Sequence, residues 1–161
     1  MTPDDLSAFR RARLLLVLAA AGEPVDAERL GVYEFLAGQP LLLARADDDP
    51  DRTALRLAGF DDRTVAYASP AQRYVTAQLS LGRDLAALVN RGLIAVTVAG
   101  RVKYALTEEG TGMAGRFTAM YAQSYITAVR IVVRRLRRLS GRKLRENLRQ
   151  CLLPVPVKDV P

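Results

Sequence analysis

Apolar positions recur at helical spacing through most of the 161-residue chain. Leu6 and Phe9, followed by the run from Leu14 to Ala21, predict a first helix from about residue 3, stopped by Gly22 and Pro24. Asp26 is placed to cap a second helix, with Leu30, Tyr33 and Leu36 on one face and an end near Gly38 and Pro40. Residues 41–68 break the rhythm. Leu41-Leu42-Leu43 leads into Asp47-Asp48-Asp49-Pro50-Asp51, a short helical piece around 54–59, and Asp61-Asp62, the pattern of an insertion with an exposed acidic loop. Ser69-Pro70 opens a third helix, because serine caps and proline suits the first helical position. Leu81, Leu85 and Leu88 give it one buried face, and Gly92 ends it. Two β-prone runs, 93–98 and 102–106, flank Ala99-Gly100-Arg101 and predict a hairpin. Thr107-Glu108-Glu109 then begins a long helix with one continuous stripe: Phe117, Tyr121, Tyr125, Ala128, Val132, Leu136 and Leu139. That stripe must bury itself against the domain or against a second protein. Phe117, Tyr121, Tyr125, Val132 and Leu136 are therefore the candidates for a protein interface. Ser140-Gly141 interrupts the helix, 143–152 forms one more, and the tail 153–161 reads as extended or disordered.

The order helix, helix, helix, hairpin, helix is that of a winged helix. The fold expected is mainly α with a small β-hairpin wing and a long C-terminal helix. It makes one domain over residues 1–152, with an insertion at about 40–69 and a basic helical extension over 111–152. The N-terminal arginines and the apolar run behind them imitate a secretory signal, but Asp4 and Asp5 acidify its front and the run is short, which favours a buried first helix. No segment approaches the roughly twenty apolar residues of a membrane span. A cytoplasmic protein with no membrane partner is expected.

Charge sharpens this picture. The formal net charge is +7, and nine of the 24 basic residues lie between Arg130 and Arg149, where Glu146 is the only acid. On a wheel of 3.6 residues per turn, Arg130, Arg134, Arg137 and Arg138 fall within about 100° of one another, opposite the apolar stripe. Arg142, Lys143, Arg145 and Arg149 continue the run. Such a run is either a solvated face or a surface for a negatively charged partner. With almost no acids to form i, i+4 pairs, self-repulsion favours the partner. Nucleic acid is the first candidate and an acidic protein surface the second. No aromatic side chain lies within the run, so phosphate contact rather than base stacking is the expected mode.

Catalytic chemistry finds little support. The chain has no histidine and one cysteine, Cys151, which removes the usual zinc ligands and the triad base. The acidic loop fails as an EF-hand, since in a frame starting at Asp47 the sixth position is Arg52 and the twelfth Ala58. No phosphate loop or nucleophile elbow occurs. The expectation is a non-catalytic protein with no cofactor.

Two stretches carry resemblances. Arg91-Gly92-Leu93-Ile94, followed by Arg101-Val102-Lys103-Tyr104-Ala105-Leu106-Thr107-Glu108-Glu109-Gly110, resembles the helix end, wing and next helix of MarR- and PadR-type regulators. Arg101 and Lys103 are the wing residues placed to meet phosphate. Some thirty residues part the second and third predicted helices, where a DNA-reading helix-turn-helix has three or four. A dimeric, operator-reading regulator is therefore the second reading. More of the chain, about residues 10–140, resembles the middle components of ABC-three-component systems, bacterial conflict or anti-phage modules. The matching residues are Arg13-Leu14-Leu15-Leu16-Val17-Leu18, Val25-Asp26-Ala27-Glu28-Arg29-Leu30, Tyr33-Glu34-Phe35-Leu36, Leu88-Val89-Asn90-Arg91-Gly92-Leu93-Ile94, Tyr104-Ala105-Leu106-Thr107, Phe117 and Ser124-Tyr125. That resemblance implies an adaptor bridging an SMC-like ABC ATPase and an effector protein, and it brings no catalytic residues.

Overall fold

The computed structural model describes residues 3–61 and 69–153, with side chains from residue 6 onward. These residues form seven α-helices and a small antiparallel sheet. The predicted insertion is described as far as residue 61, and of the predicted tail only Leu153 lies within the described residues.

Side-chain caps open most of the helices. Helix α1 (Pro3–Ala21) ends where Gly22 takes a φ of +65° and returns its N–H to Leu18 O at 3.1 Å. A two-residue strand, β1 (Val25–Asp26), leads into α2 (Ala27–Gly38), whose first turn is closed by the Asp26 carboxylate accepting from Arg29 N–H at 2.8 Å. A 3₁₀ turn at Pro40–Leu42 follows. Asp49 caps α3 (Pro50–Leu57) and Ser69 caps α4 (Pro70–Asn90). The hairpin pairs β2 (Ile94–Ala99) with β3 (Arg101–Leu106), turning at Gly100 with φ +77°. Thr107 caps α5 (Glu108–Ala114), and Ser140 caps α7 (Gly141–Leu152) beyond α6 (Met120–Leu136).

Two expectations need correction. The single long helix from Thr107 does not form: α5 stops at Ala114 and α6 starts at Met120, with Phe117 between them. Gly110, Gly112 and Gly115 all weaken helix propensity in this stretch. Gly110 also lies so close to Leu93, the residue before β2, that a Cβ there would stand 1.9 Å from Leu93 O, which pins α5 to the entry of the sheet. The second correction is a third strand. Val25 pairs with Tyr104 and Asp26 with Lys103, giving the order β1-β3-β2.

Helix α6 is the centre of the core rather than an extension of it. It packs on α1, α2 and α3 and contributes Tyr125, Ala128, Val129, Val132, Val133 and Leu136, all buried. Each fully buried Leu or Val there contributes roughly 1.5–3 kcal/mol of apolar burial. Arginines close several helix C-termini. Arg29 donates to Leu136 O at 3.0 Å and to Leu139 O, Arg137 donates to Ala21 O, and Arg45 donates to Leu153 O at 3.0 Å and to Cys151 O. Carbonyls orphaned at the helix ends thereby gain charged donors.

Candidate functional site

The basic run folds onto two helices. Its first part alternates sharply, because Val129, Ile131, Val132, Val133 and Leu136 of α6 turn into the core while Arg130 and Arg134 stay exposed; Arg137 and Arg138, expected on the same helix, lie exposed in the turn that ends it. The α7 part repeats this. Leu144, Leu148 and Cys151 are buried, and Arg142, Lys143, Arg145 and Arg149 are exposed. A packed apolar underside therefore presents the cations from rigid backbone, which lowers the entropy lost when they meet a ligand.

The structure divides these cations into two groups. Four have carboxylate partners from distant segments. Arg134 bonds Asp51, and Arg135 bonds Asp49 at 2.8 Å and Asp51 at 3.2 Å. Arg137 lies 3.7 Å from Glu23, and Arg145 donates to Glu28 at 3.1 Å. Arg130, Arg138, Arg142, Lys143 and Arg149 have no ion-pair partner among the described residues. The predicted acidic loop is accordingly docked on the chain's own α6. Hydrogen bonding from Arg135, reinforced by the Asp51 backbone N–H, holds the Asp49 carboxyl below its usual range.

Of the wing candidates, Arg101 is exposed near the hairpin turn and Lys103 is half-buried. Lys103 and Arg137 line one cleft of about 200 Å³ together with Glu23, Asp26 and Arg29, so the wing and the arginine helix meet there. The interface candidates fare differently. Tyr125, Val132 and Leu136 are buried in this chain's own core and have no face left for a partner. Tyr121 is half-exposed against Phe9, with ring centroids 4.8 Å apart, and Phe117 packs partly buried between α5 and α6.

A second concentration of charge lies inside the molecule. Asp84 of α4 is buried and accepts from Arg10 Nε at 3.1 Å and Arg11 Nε at 3.3 Å. Arg13 pairs with Glu34 at 3.0 Å, donates to Glu34 O, and stacks over Tyr125 with its guanidinium carbon 4.7 Å from the ring centroid. These contacts tie α1 to α2, α4 and α6. The sequence reading missed them, although the Arg10, Arg11 and Arg13 cluster on an otherwise apolar helix was the available signal. Burial pushes the Cys151 thiol up, in keeping with a core residue.

Among the described residues no cluster of His, Cys, Asp or Glu is suited to a metal ion, and no helix is long and apolar enough to cross a membrane. Comparison with protein-family models, curated proteins and solved structures finds no match to the chain.

Proposed function

We propose that the chain is a non-catalytic adaptor that contacts the phosphates of nucleic acid through α6 and α7. The observation carrying this reading is the group Arg130, Arg138, Arg142, Lys143 and Arg149, presented on a packed scaffold with no acid paired to it among the described residues. Five such cations neutralise phosphates without reading bases, so binding is sequence-tolerant and steeply dependent on salt. The absence of histidine and the burial of the one cysteine support a role without chemistry of its own. The element order α1-β1-α2-α4-β2-β3, with sheet order β1-β3-β2, supports a winged-helix core in which α3 belongs to the insertion. The resemblance to middle components supplies the protein partners: an SMC-like ABC ATPase and an effector.

Titrating the protein with a fluorescent random-sequence duplex tests the nucleic-acid part. Binding should weaken with salt at a log–log slope of about −4.5 if some five phosphates are engaged. Arg130→Glu, Arg138→Glu and Arg142→Glu together should abolish it while helical content stays unchanged. Unchanged binding in that variant would make the run a solvated face. Co-purification with proteins encoded by neighbouring genes tests the adaptor part.

A winged-helix reading of the element order favours one rival, an operator-reading regulator with α4 in the major groove. The exposed side of α4 argues against it, since Arg83 is its sole exposed cation, beside Val75, Leu79 and Ala86. That chemistry suits base edges poorly. Tight binding to one palindromic site and weak binding to random duplex would install the rival instead.

A further inference from the structure

The outward side of α4 is apolar where solvent-facing helices are charged. Its exposed residues are Ala71, Gln72, Val75, Thr76, Leu79, Gly82, Arg83, Ala86 and Asn90, of which Arg83 alone is charged. Leu79 is 80% exposed and Val75 59%. Val75, Leu79, Gly82 and Ala86 are spaced by four, three and four residues, the alternation of a helix-pairing seam. Gly82 adds an independent sign. It stands in the interior of a 21-residue helix, where glycine weakens the helix, yet a Cβ built there would meet nothing within 4 Å. Among the described residues nothing packs on that position in a way that calls for a glycine. Close approach by another helix does.

The order of sizes selects the occupant. Two large side chains occupy the N-terminal half of the seam and two small ones the C-terminal half. When α4 is laid antiparallel on a second α4 about a two-fold axis between residues 80 and 81, Leu79 of each copy falls opposite Gly82 of the other. Val75 then falls opposite Ala86. The polar Gln72 and Asn90 come together at both ends, and Arg83 faces no arginine. Large side chains thus meet small ones along the whole seam, and the patch is complementary to itself, as a two-fold interface requires. A parallel pairing would set Leu79 on Leu79 and Gly82 on Gly82, leaving the helices held apart at one level and unfilled at the next. We infer that the chain forms a homodimer in which α4 packs antiparallel on its copy, Leu79 seated over Gly82. This goes beyond the polyanion reading and does not depend on it, because α6 and α7 take no part in the seam.

The test is the mass of the full-length protein in solution by sedimentation equilibrium, combined with directed cross-linking. The wild type should sediment as a dimer of the 17.7 kDa chain. Leu79→Lys should give a monomer with unchanged helical content, and Gly82→Ile should do the same by filling the gap Leu79 occupies. Under mild oxidation, a mixture of Val75→Cys protein with Ala86→Cys protein should give a covalent dimer that neither variant gives alone. Like positions in the antiparallel pair lie about 16 Å apart at 1.5 Å per residue, too far for a disulfide. The native cysteine is buried and contributes little background. A wild-type monomer at tens of micromolar would overturn the inference. So would a dimer that survives Leu79→Lys, or Val75→Cys protein that cross-links to itself. Loss of DNA binding in the α6–α7 variant with the dimer intact would separate this inference from the polyanion reading.

Discussion

The Asp51 carboxylate lies between two guanidinium groups of α6, accepting from Arg134 and, at 3.2 Å, from Arg135. Asp49, two residues earlier, accepts from Arg135 at 2.8 Å and also caps α3. An acidic loop more than eighty residues away in sequence therefore covers two cations at the edge of the surface proposed to meet phosphate. Replacing both acids, Asp49→Asn with Asp51→Asn, should release Arg134 and Arg135 to the ligand. Affinity for a random duplex should rise several-fold at low salt, and the salt slope should steepen by up to about two. Fluorescence anisotropy across a salt series measures both. Unchanged affinity would assign the loop a purely structural part.

The same contact gives an acid dependence with a definite sign. Arg135 and the backbone N–H of Asp51 hold the folded Asp49 carboxyl below its unfolded value of about 3.9. Its contribution to loop docking is therefore fully present above pH ~4 and is lost as pH falls through the depressed folded value. Carboxyl-carbon NMR titration should place the Asp49 midpoint below 3.9, and Arg135→Gln should return it toward that figure. A wild-type midpoint at or above 3.9 would remove the Arg135 contact from the account.

Arg13 makes a prediction of a different kind. Its partner Glu34 is nearly buried, and burial raises the Glu34 carboxyl even against the opposing pull of Arg13. Arg13→Ala leaves that carboxylate without its cation and Tyr125 without its guanidinium neighbour, at a cost of about 3–5 kcal/mol. Because the folded Glu34 value is raised, the stability of Arg13→Ala protein should be greatest in mild acid and decline as pH rises through that value. Adding Glu34→Gln should recover part of the loss at neutral pH and remove the decline. Urea unfolding at several pH values reads all of this, and a pH-independent loss would place the damage in packing alone.

The parts of the fold legible in the chain are those governed by local chemistry. Asp26, Ser69 and Thr107 each cap a helix because a short side-chain oxygen at that position meets an orphan N–H two or three residues on. Contacts set by distant partners were not legible. Two residues, Val25 and Asp26, carry no period of their own and become a strand only by pairing with Tyr104 and Lys103. The apolar stripe of α6 announces that it must be buried but not against what, so Tyr125, Val132 and Leu136 read as an interface and are core. Arg135 escaped notice because it sits on the shoulder of the helix, away from the main arginine face. Its importance comes from Asp49 and Asp51, which a helical wheel of α6 does not contain. The unpaired group Arg130, Arg138, Arg142, Lys143 and Arg149 was visible as composition, while its separation from the paired arginines needed the tertiary structure.

Two glycines of α5, one turn apart at most, should respond oppositely to the same substitution. At Gly110 a Cβ would stand 1.9 Å from Leu93 O, a backbone atom that also accepts the N–H of Thr107 at 3.1 Å. That carbonyl cannot move without loosening the turn that joins the sheet to α5. Overpacking of this kind costs about 1–3 kcal/mol, and a rigid backbone neighbour puts Gly110→Ala at the upper end. At Gly112 a Cβ meets nothing within 4 Å, and the φ angle is not positive. Gly112→Ala therefore restricts only the unfolded chain and should stabilise by about 0.4–1 kcal/mol. Thermal unfolding of the two single variants beside wild type decides the matter. If Gly110→Ala melted at or above the wild-type temperature, α5 would not be seated on the entry of the sheet as described, and the glycine-weakened break between α5 and α6 would need another cause.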